Sequence, residues 1–444
     1  MRSPKYVAAL LVVLALAVSV SLVRSRPDSG PELLAGNGWT KLPNGPNAAG
    51  AQRHDDLCFI DEYRGWVVNG NGEVWRTSDG GNSWTRTALT GDYNRCVGFI
   101  NQNTGWIGYL YQVNGTALIR TDDGGSTWNS VTLPAPAPAG VCGMQVIDST
   151  TVVAVGAYYG TPTFIRTDDA GANWSVLDMS PYCGALVDVH FFNDQVGVAV
   201  GSSTPGPNRR HMILRTTDGG ITWEVRQVGS RNRELCWKAS FPNEQAGFVS
   251  IENLAGIGPT YFLKTQDGGV NWTEVFATSS FVDCQGIGFV TPYFGWIGGW
   301  NTGTAVTKDG GNSWAGGDFG FNVNRIRFLS PFLGYACGTD VYKFQLNPAG
   351  VGNGDVASGP PLVQVRPNPF SSTTRISYRV PKEGPISLRV FDVQGRPIRA
   401  LIDGESAAGD FTTPFDAHGL AAGTYYYRLS TVAGSETGKL QVVP

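Results

Sequence analysis

Carboxylates are the groups this 444-residue chain places most regularly. Asp79, Asp123, Asp169, Asp218, Asp267 and Asp309 each stand fourth in one nine-residue phrase. It reads RTSDGGNSW at 76–84 and returns as RTDDGGSTW, RTDDAGANW, RTTDGGITW, KTQDGGVNW and VTKDGGNSW. Catalysis needs one carboxylate in one place, not six equivalent copies. An Asp before paired glycines builds a tight turn, because its oxygens accept backbone N–H groups two or three residues on and glycine reaches positive φ without strain. The six aspartates are therefore assigned to folding.

Other reactive chemistry is sparse. The four histidines, His54, His190, His211 and His418, lack metal-ligand spacing, and no Gly-X-Ser-X-Gly or phosphate-binding loop occurs, so no metal and no cofactor is expected. Paired acids for glycoside hydrolysis could still be assembled from loops, using for instance Asp92 or Asp283. Arginines and aromatic residues, which bring large contact area with oriented polar groups, supply the candidates for recognition: Arg53, Tyr93, Arg95, Tyr182, Arg231, Arg233, Trp237 and Trp300. Beside them stand His54, Tyr111, Tyr158, Tyr159, Arg209 and Arg210.

The elements that must position these residues follow from the repeat. The closing tryptophans of the phrase, Trp84, Trp128, Trp174, Trp223, Trp272 and Trp314, are 44, 46, 49, 49 and 42 residues apart. That period fits four short strands per unit. Upstream of each phrase runs a second pattern, an aromatic or apolar pair, a turn, then Gly and apolar or small residues, as in FIDEYRGWVV at 59–68. It recurs seven times, the last at 328–337 with no Asp-Gly-Gly phrase behind it. The missing strand is found near the N-terminus, where Trp39-Thr40-Lys41 matches the strand after each phrase. The expected fold is all-β: a seven-bladed β-propeller over 37–346, closed by the N-terminal strand so that no sheet edge is left open. In such a blade the loop entering the first strand and the loop between the second and third share one face, opposite the Asp turns. That face holds the candidate recognition residues.

The phrase resembles the Asp-box, or bacterial-neuraminidase, repeat of sialidases, sortilin-type receptors, xyloglucan-active glycosidases and photosystem II assembly-factor-like propellers; Ala170 in the third copy departs from it. The combination of Gly-Trp strands with single boxes looks most like the photosystem II assembly-factor-like propellers. The resemblance implies boxes on the outer hairpins, away from the ligand face. The Phe/Tyr-Arg-Ile-Pro motif of sialidases has no match here, and xyloglucan-active relatives use two propellers where this chain has one.

Arg2 and Lys5 precede an apolar run from Tyr6 to Val23, so residues 1–26 are expected to be a secretory signal peptide, with a membrane anchor as the alternative. Residues 347–361 have the Gly, Pro, Asn and Ser composition of a linker. From 362 to 444 apolar and polar residues alternate between turn signals, which points to a small β-sandwich. This segment resembles the type A C-terminal sorting domain of the type IX (Por) secretion system, itself similar to an immunoglobulin-like domain. The resemblance rests on Pro367-Asn368-Pro369-Phe370, Phe391-Asp392-Val393-Gln394-Gly395-Arg396, Gly419 to Tyr425 and Lys439 to Val443. It implies type IX secretion machinery as a partner and delivery through the periplasm to the outer-membrane surface or the medium. Surface export argues against the photosystem role that the repeat alone would imply.

With 33 basic and 36 acidic residues the chain lacks the basic excess of a nucleic-acid binder. Of seven cysteines, Cys58, Cys96, Cys142, Cys183, Cys236 and Cys284 recur just before the first strand of successive blades, and Cys337 falls in a second strand. Export permits bridges such as Cys58–Cys96, Cys142–Cys183 and Cys236–Cys284. The alternative is a small apolar residue filling a crowded position near the axis. The expected function is a non-catalytic surface scaffold binding protein or glycan, with a surface glycosidase as the alternative.

Overall fold

The computed structural model describes residues 38–443 except 49–52, 90–92, 281, 331–332, 346–362, 381–382, 408 and 432–433. The expected signal peptide, the expected linker and Asp92 lie outside the described residues. Apart from one 3-10 turn at Gly206–Asn208, the regular elements are all strands.

Seven antiparallel four-stranded sheets run from Trp39 to Gln345. Six use consecutive strands, beginning with His54–Phe59, Gly65–Asn69, Glu73–Thr77 and Thr85–Ala88. The seventh joins Arg325–Ser330, Leu333–Cys337 and Val341–Gln345 to Trp39–Lys41, with Trp39 opposite Phe344. Each sheet packs on the next, and the seventh packs on His54–Phe59 of the first. The second strand Val152–Gly156 is buried throughout, as its unbroken apolar sequence requires, whereas the fourth strand Thr85–Ala88 faces solvent.

The recurring aromatic-to-glycine spacing has a steric cause. The ring that ends each first strand lies over the glycine that opens the second: a Cβ on Gly65 would stand 2.4 Å from Phe59, and one on Gly105 would stand 2.5 Å from Phe99. The same ring then stacks on the neighbouring sheet. Phe99 lies 3.5 Å from Trp66, Phe289 lies 3.5 Å from Phe248, and Phe59 lies 3.4 Å from Tyr335 of the seventh sheet.

The Asp turns join third and fourth strands. Asp79 Oδ1 accepts from Thr77 Oγ1 at 2.8 Å and from the Ser83 amide at 2.9 Å, while Oδ2 accepts from Ser83 Oγ at 2.6 Å. At Asp123 and Asp267 the carboxylate also accepts the amide three residues on, from Ser126 at 2.9 Å and Val270 at 3.1 Å, as turn chemistry predicts. Gly80 and Gly81 have φ of 74° and 93°, and the Trp84 indole donates to Gly81 O at 3.0 Å. Ala170 takes the first glycine's place at φ 56°, a left-handed conformation that an alanine adopts only under strain. Hydrogen bonds from Ser83 hold the Asp79 carboxyl down at about 2.

The first residue of the phrase links neighbouring sheets. Arg120, Arg166, Arg215 and Lys264 donate to the carbonyls of Ala170, Gly219, Gly268 and Gly310 at 2.9–3.2 Å, each in the next Asp turn. Arg76 reaches Ser126 Oγ at 2.5 Å in the same way. Val306 cannot do this, and the sheet that follows it has no Asp turn to receive a bond.

Residues 363–442 form two further sheets. Val363–Arg366, Thr373–Val380 and Gly409–Asp416 make one; Pro397–Ser406, Gly384–Phe391, Gly423–Thr431 and Gly434–Val442 make the other. Ile376, Leu388, Val390, Phe415 and Leu440 share their core. Asp392 staples the turn after Phe391, accepting the Arg396 amide at 2.9 Å and its Nε at 2.6 Å. No described helix is long and apolar enough to cross a membrane.

Replacing Arg120 by Ala removes a charge-assisted bond to the next sheet and is expected to lower stability by about 1–2 kcal/mol. Chemical denaturation measures this; an unchanged unfolding midpoint would show that the link contributes nothing.

Candidate functional site

The first strands of the first, fourth, fifth and seventh sheets bring a set of charged side chains together. Arg325 donates to Asp56 Oδ1 at 2.8 Å and to both oxygens of Asp188 at 2.8 and 2.9 Å, so one guanidinium ties the seventh sheet to the first and the fourth. Arg327 adds a 3.2 Å contact to Asp56. Burial alone would raise the Asp188 carboxyl, but Arg325 holds it well below the usual carboxylate range. Lys238 of the fifth sheet is buried beside them with no hydrogen-bond partner on Nζ; burial, reinforced by Arg325, lowers it to about 7.

Toward the loop end, side chains from four sheets form a continuous polar chain. Gln285 donates to Glu252, Arg53 donates to Gln285 and to Asp55, and Arg95 donates to Asp55 at 2.9 Å. Indole faces support the guanidinium groups: Arg53 lies 4.6 Å from the Trp300 ring and Arg95 lies 4.8 Å from Trp237. The Trp237 indole donates to Asn324 Oδ1 at 2.6 Å, and Asn324 donates to Asp55 O. Glu252 and Asp283 are electrostatically close, and Glu252 Oε2 and Asp283 Oδ1 are buried without a hydrogen-bond partner. Burial, and then the charge of Asp283, raises Glu252 to about 8; burial raises Asp283 as well.

Five expected recognition residues are thus gathered, Arg53, Tyr93, Arg95, Trp237 and Trp300. Arg53, Arg95 and Trp237 are only 5%, 2% and 6% exposed, and their polar groups face the protein interior. Tyr93 is half-buried and lies 6.2 Å from Tyr111, which begins an aromatic series through Tyr159 and Tyr158 to Trp237. Tyr111 and Tyr159 are 48% and 56% exposed. Tyr182 lies apart, packed on the core between the third and fourth sheets. Arg231 is tied to Glu234 and Glu274, and exposed Arg233 donates to Leu254 O at 2.6 Å. Of the secondary candidates, His54 is buried and pushed down to about 4, and Arg209 is buried against Tyr158.

Sequence reasoning misses Asp55, Asp56, Asp188, Lys238, Glu252, Gln285, Asn324 and Arg325. The available signal is the polar residue inside an otherwise apolar strand, as in Leu235-Cys236-Trp237-Lys238. All seven thiols are free and buried, so the expected alternative of packing holds and the bridges are not formed. Cys58, Cys96, Cys236 and Cys284 lie within first strands rather than before them.

Seven successive antiparallel four-stranded sheets with charged side chains on first strands, followed by two further sheets, define a propeller-like protein. Residues 47–203 and 167–282 match the family described as photosynthesis system II assembly factor YCF48. Together these matches span more than half of the chain, and the chain belongs to this family. Residues 364–443 match the secretion system C-terminal sorting domain, which marks the protein for delivery by the type IX system to the cell surface or extracellular space.

Solved structures agree on the propeller. YCF48 bound to D1 peptide is 21% identical with a TM-score of 0.53, covering 72% of this chain and 99% of its own. YCF48 from Cyanidioschyzon merolae is 19% identical with a TM-score of 0.52, covering 69% and 98%. The Neurospora crassa Pan2 WD40 domain is 9% identical with a TM-score of 0.51, covering 73% and 100%. At these identities the likeness concerns the fold. No curated protein matches the chain significantly.

A carboxyl raised by folding binds its proton more tightly in the folded state than in the unfolded chain, so Glu252 costs stability as pH rises from about 4.3 toward 8. His54 and His190, both lowered to about 4, contribute a slope of the opposite sign below pH ~6.5. Both are present in wild type and variant alike. The stability of Glu252→Gln relative to wild type is therefore expected to increase from pH 5 to 7, by at most about 1.4 kcal/mol per pH unit. A pH-independent difference in parallel thermal melts would show that Glu252 is not raised by folding.

Proposed function

We propose that this chain is a surface-displayed, non-catalytic interaction scaffold: a seven-bladed propeller over 37–346, closed by its N-terminal strand, exported by a signal peptide at 1–26. It crosses the periplasm and is carried onward by an immunoglobulin-like sorting domain, 362–444, on a linker at 347–361. The observation that carries the binding role is the asymmetry of the loop face. There Tyr111 and Tyr159 stack and present open aromatic surface, and Arg210 and Arg233 are exposed, while Arg53, Arg95, Trp237 and Trp300 seal the loop end. The sealed residues hold the platform rigid, and the exposed ones make contact; aromatic and arginine anchors on a rigid base are the residue types that dominate recognition.

A polypeptide is the preferred partner, because a relative in the same family has been solved with a peptide bound. A surface glycosidase is the alternative, and it requires two carboxyl groups about 5–10 Å apart on the loop face.

Photo-crosslinking from position 159 on living cells, with position 221 on the Asp-turn face as control, tests the binding role. A polypeptide adduct at 159 alone is expected, lost in Tyr111→Ala/Arg233→Ala. Equal labelling from both positions would dismiss the loop face, and a shortened polysaccharide would favour the enzyme. Deleting 362–444 is expected to leave the propeller in the periplasm; fractionation showing normal surface delivery would refute the assigned role of the sorting domain.

A further inference from the structure

We propose a divalent metal site of the zinc type at the loop end of the junction between the fourth and fifth sheets. His211 and Glu274 are its ligands, and Glu234 stands behind the imidazole. The three come from separate strands, His211–Thr216, Glu234–Ser240 and Thr273–Thr278, so no sequence spacing reveals them. One ligating atom from each lies within 4.8 Å of the others.

The hydrogen bonding of the ring sets the argument. His211 is fully buried, with its Cε1 edge against Gly229, where a Cβ would come within 2.4 Å. Nδ1 stands 2.9 Å from Glu234 Oε2, and since a carboxylate oxygen only accepts, the ring nitrogen donates. In the neutral ring this makes Nε2 an acceptor. Nε2 has no hydrogen-bond partner and faces Glu274 Oε2 across 3.7 Å. The unpartnered Nε2 of a fully buried ring therefore faces a second acceptor, Glu274 Oε2, whose present cation is the Arg231 guanidinium at 2.8 Å, and a metal ion between the two would satisfy both.

A metal fits the gap. With metal–nitrogen bonds of about 2.0–2.1 Å and metal–oxygen bonds of about 2.0–2.2 Å, a separation of 3.7 Å corresponds to an angle at the metal of roughly 120–135°, wider than the ideal tetrahedral angle of about 109°. The Glu234–His211 contact is the carboxylate–imidazole pairing that fixes the tautomer of a metal-binding histidine and raises its basicity. Water completes the coordination. Arg231 supplies the positive charge in the form described here: Nε donates to Glu234 Oε1 at 2.5 Å, and its two terminal nitrogens donate to Glu274 at 2.8 Å each. Its side chain is 36% exposed and turns outward when the metal takes Glu274 Oε2.

The test is calorimetric titration of the full chain with Zn²⁺, alongside the visible spectrum with Co²⁺, for the wild type, Glu274→Gln, Glu234→Gln and Arg231→Ala. One equivalent is expected, with the absorption bands of a tetrahedral nitrogen/oxygen site. Glu274→Gln should abolish it, and Glu234→Gln should weaken it by about 10–100-fold. Arg231→Ala should tighten it, because the competing guanidinium is gone. Glu274 is partly exposed, so its variant folds where one at buried His211 could fail. Uptake unchanged by Glu274→Gln overturns the proposal. So does the lack of a Co²⁺ spectrum in both wild type and Arg231→Ala; an imidazole that only titrates in the NMR spectrum would then show that a second proton fills the gap.

Discussion

The rest of the propeller is organised around one buried guanidinium. Arg325 pairs with Asp56 and Asp188, residues 269 and 137 positions away in sequence, and so connects the last sheet to the first and to one across the axis. Replacing a buried ion pair by apolar residues is often neutral in stability, whereas leaving one partner alone costs several kcal/mol. The consequence is specificity. Seven similar sheets offer much the same apolar burial in more than one order or register, and the observed order is one that satisfies Arg325, Asp56 and Asp188 together. The axis selects among packings that the repeat makes nearly equivalent.

A different chemistry acts at the outer hairpins. There the Asp turns close each unit on itself, and the cation that opens the phrase donates to a carbonyl in the next turn. The links form a relay along successive sheets, with stacked rings between them, and Phe59 on Tyr335 supplies the stack at the junction of the last sheet with the first. Tight local closure with directional contacts to the next unit is how a repeat array fixes its curvature.

These demands leave fewer groups for binding than the residue types suggest. Arg53 and Arg95 look like anchors for an acidic partner, yet Asp55 and Gln285 take up their donors and tryptophan faces cover them. The loop end of the axis is a plug. Exposed aromatic and arginine surface lies at Tyr111 of the second sheet, Tyr159 of the third and Arg233 at the entry to the fifth.

Much was determined by the sequence alone, and for a physical reason: turn chemistry and strand patterning are local. Asp-Gly-Gly reads as a turn, the aromatic-to-glycine spacing reads as a first and second strand, and Trp39-Thr40-Lys41 reads as the strand missing from the seventh sheet. The C-terminal motifs likewise announce a sorting domain. Tertiary structure alone decided which charges meet. Asp56 and Arg325, Glu252 and Asp283, or His211 and Glu274 are brought together by packing between sheets, and nothing in the local sequence of either partner names the other. It also decided that Arg53 and Trp237 are interior residues, because exposure at the end of a first strand depends on what the opposite sheets place across the axis.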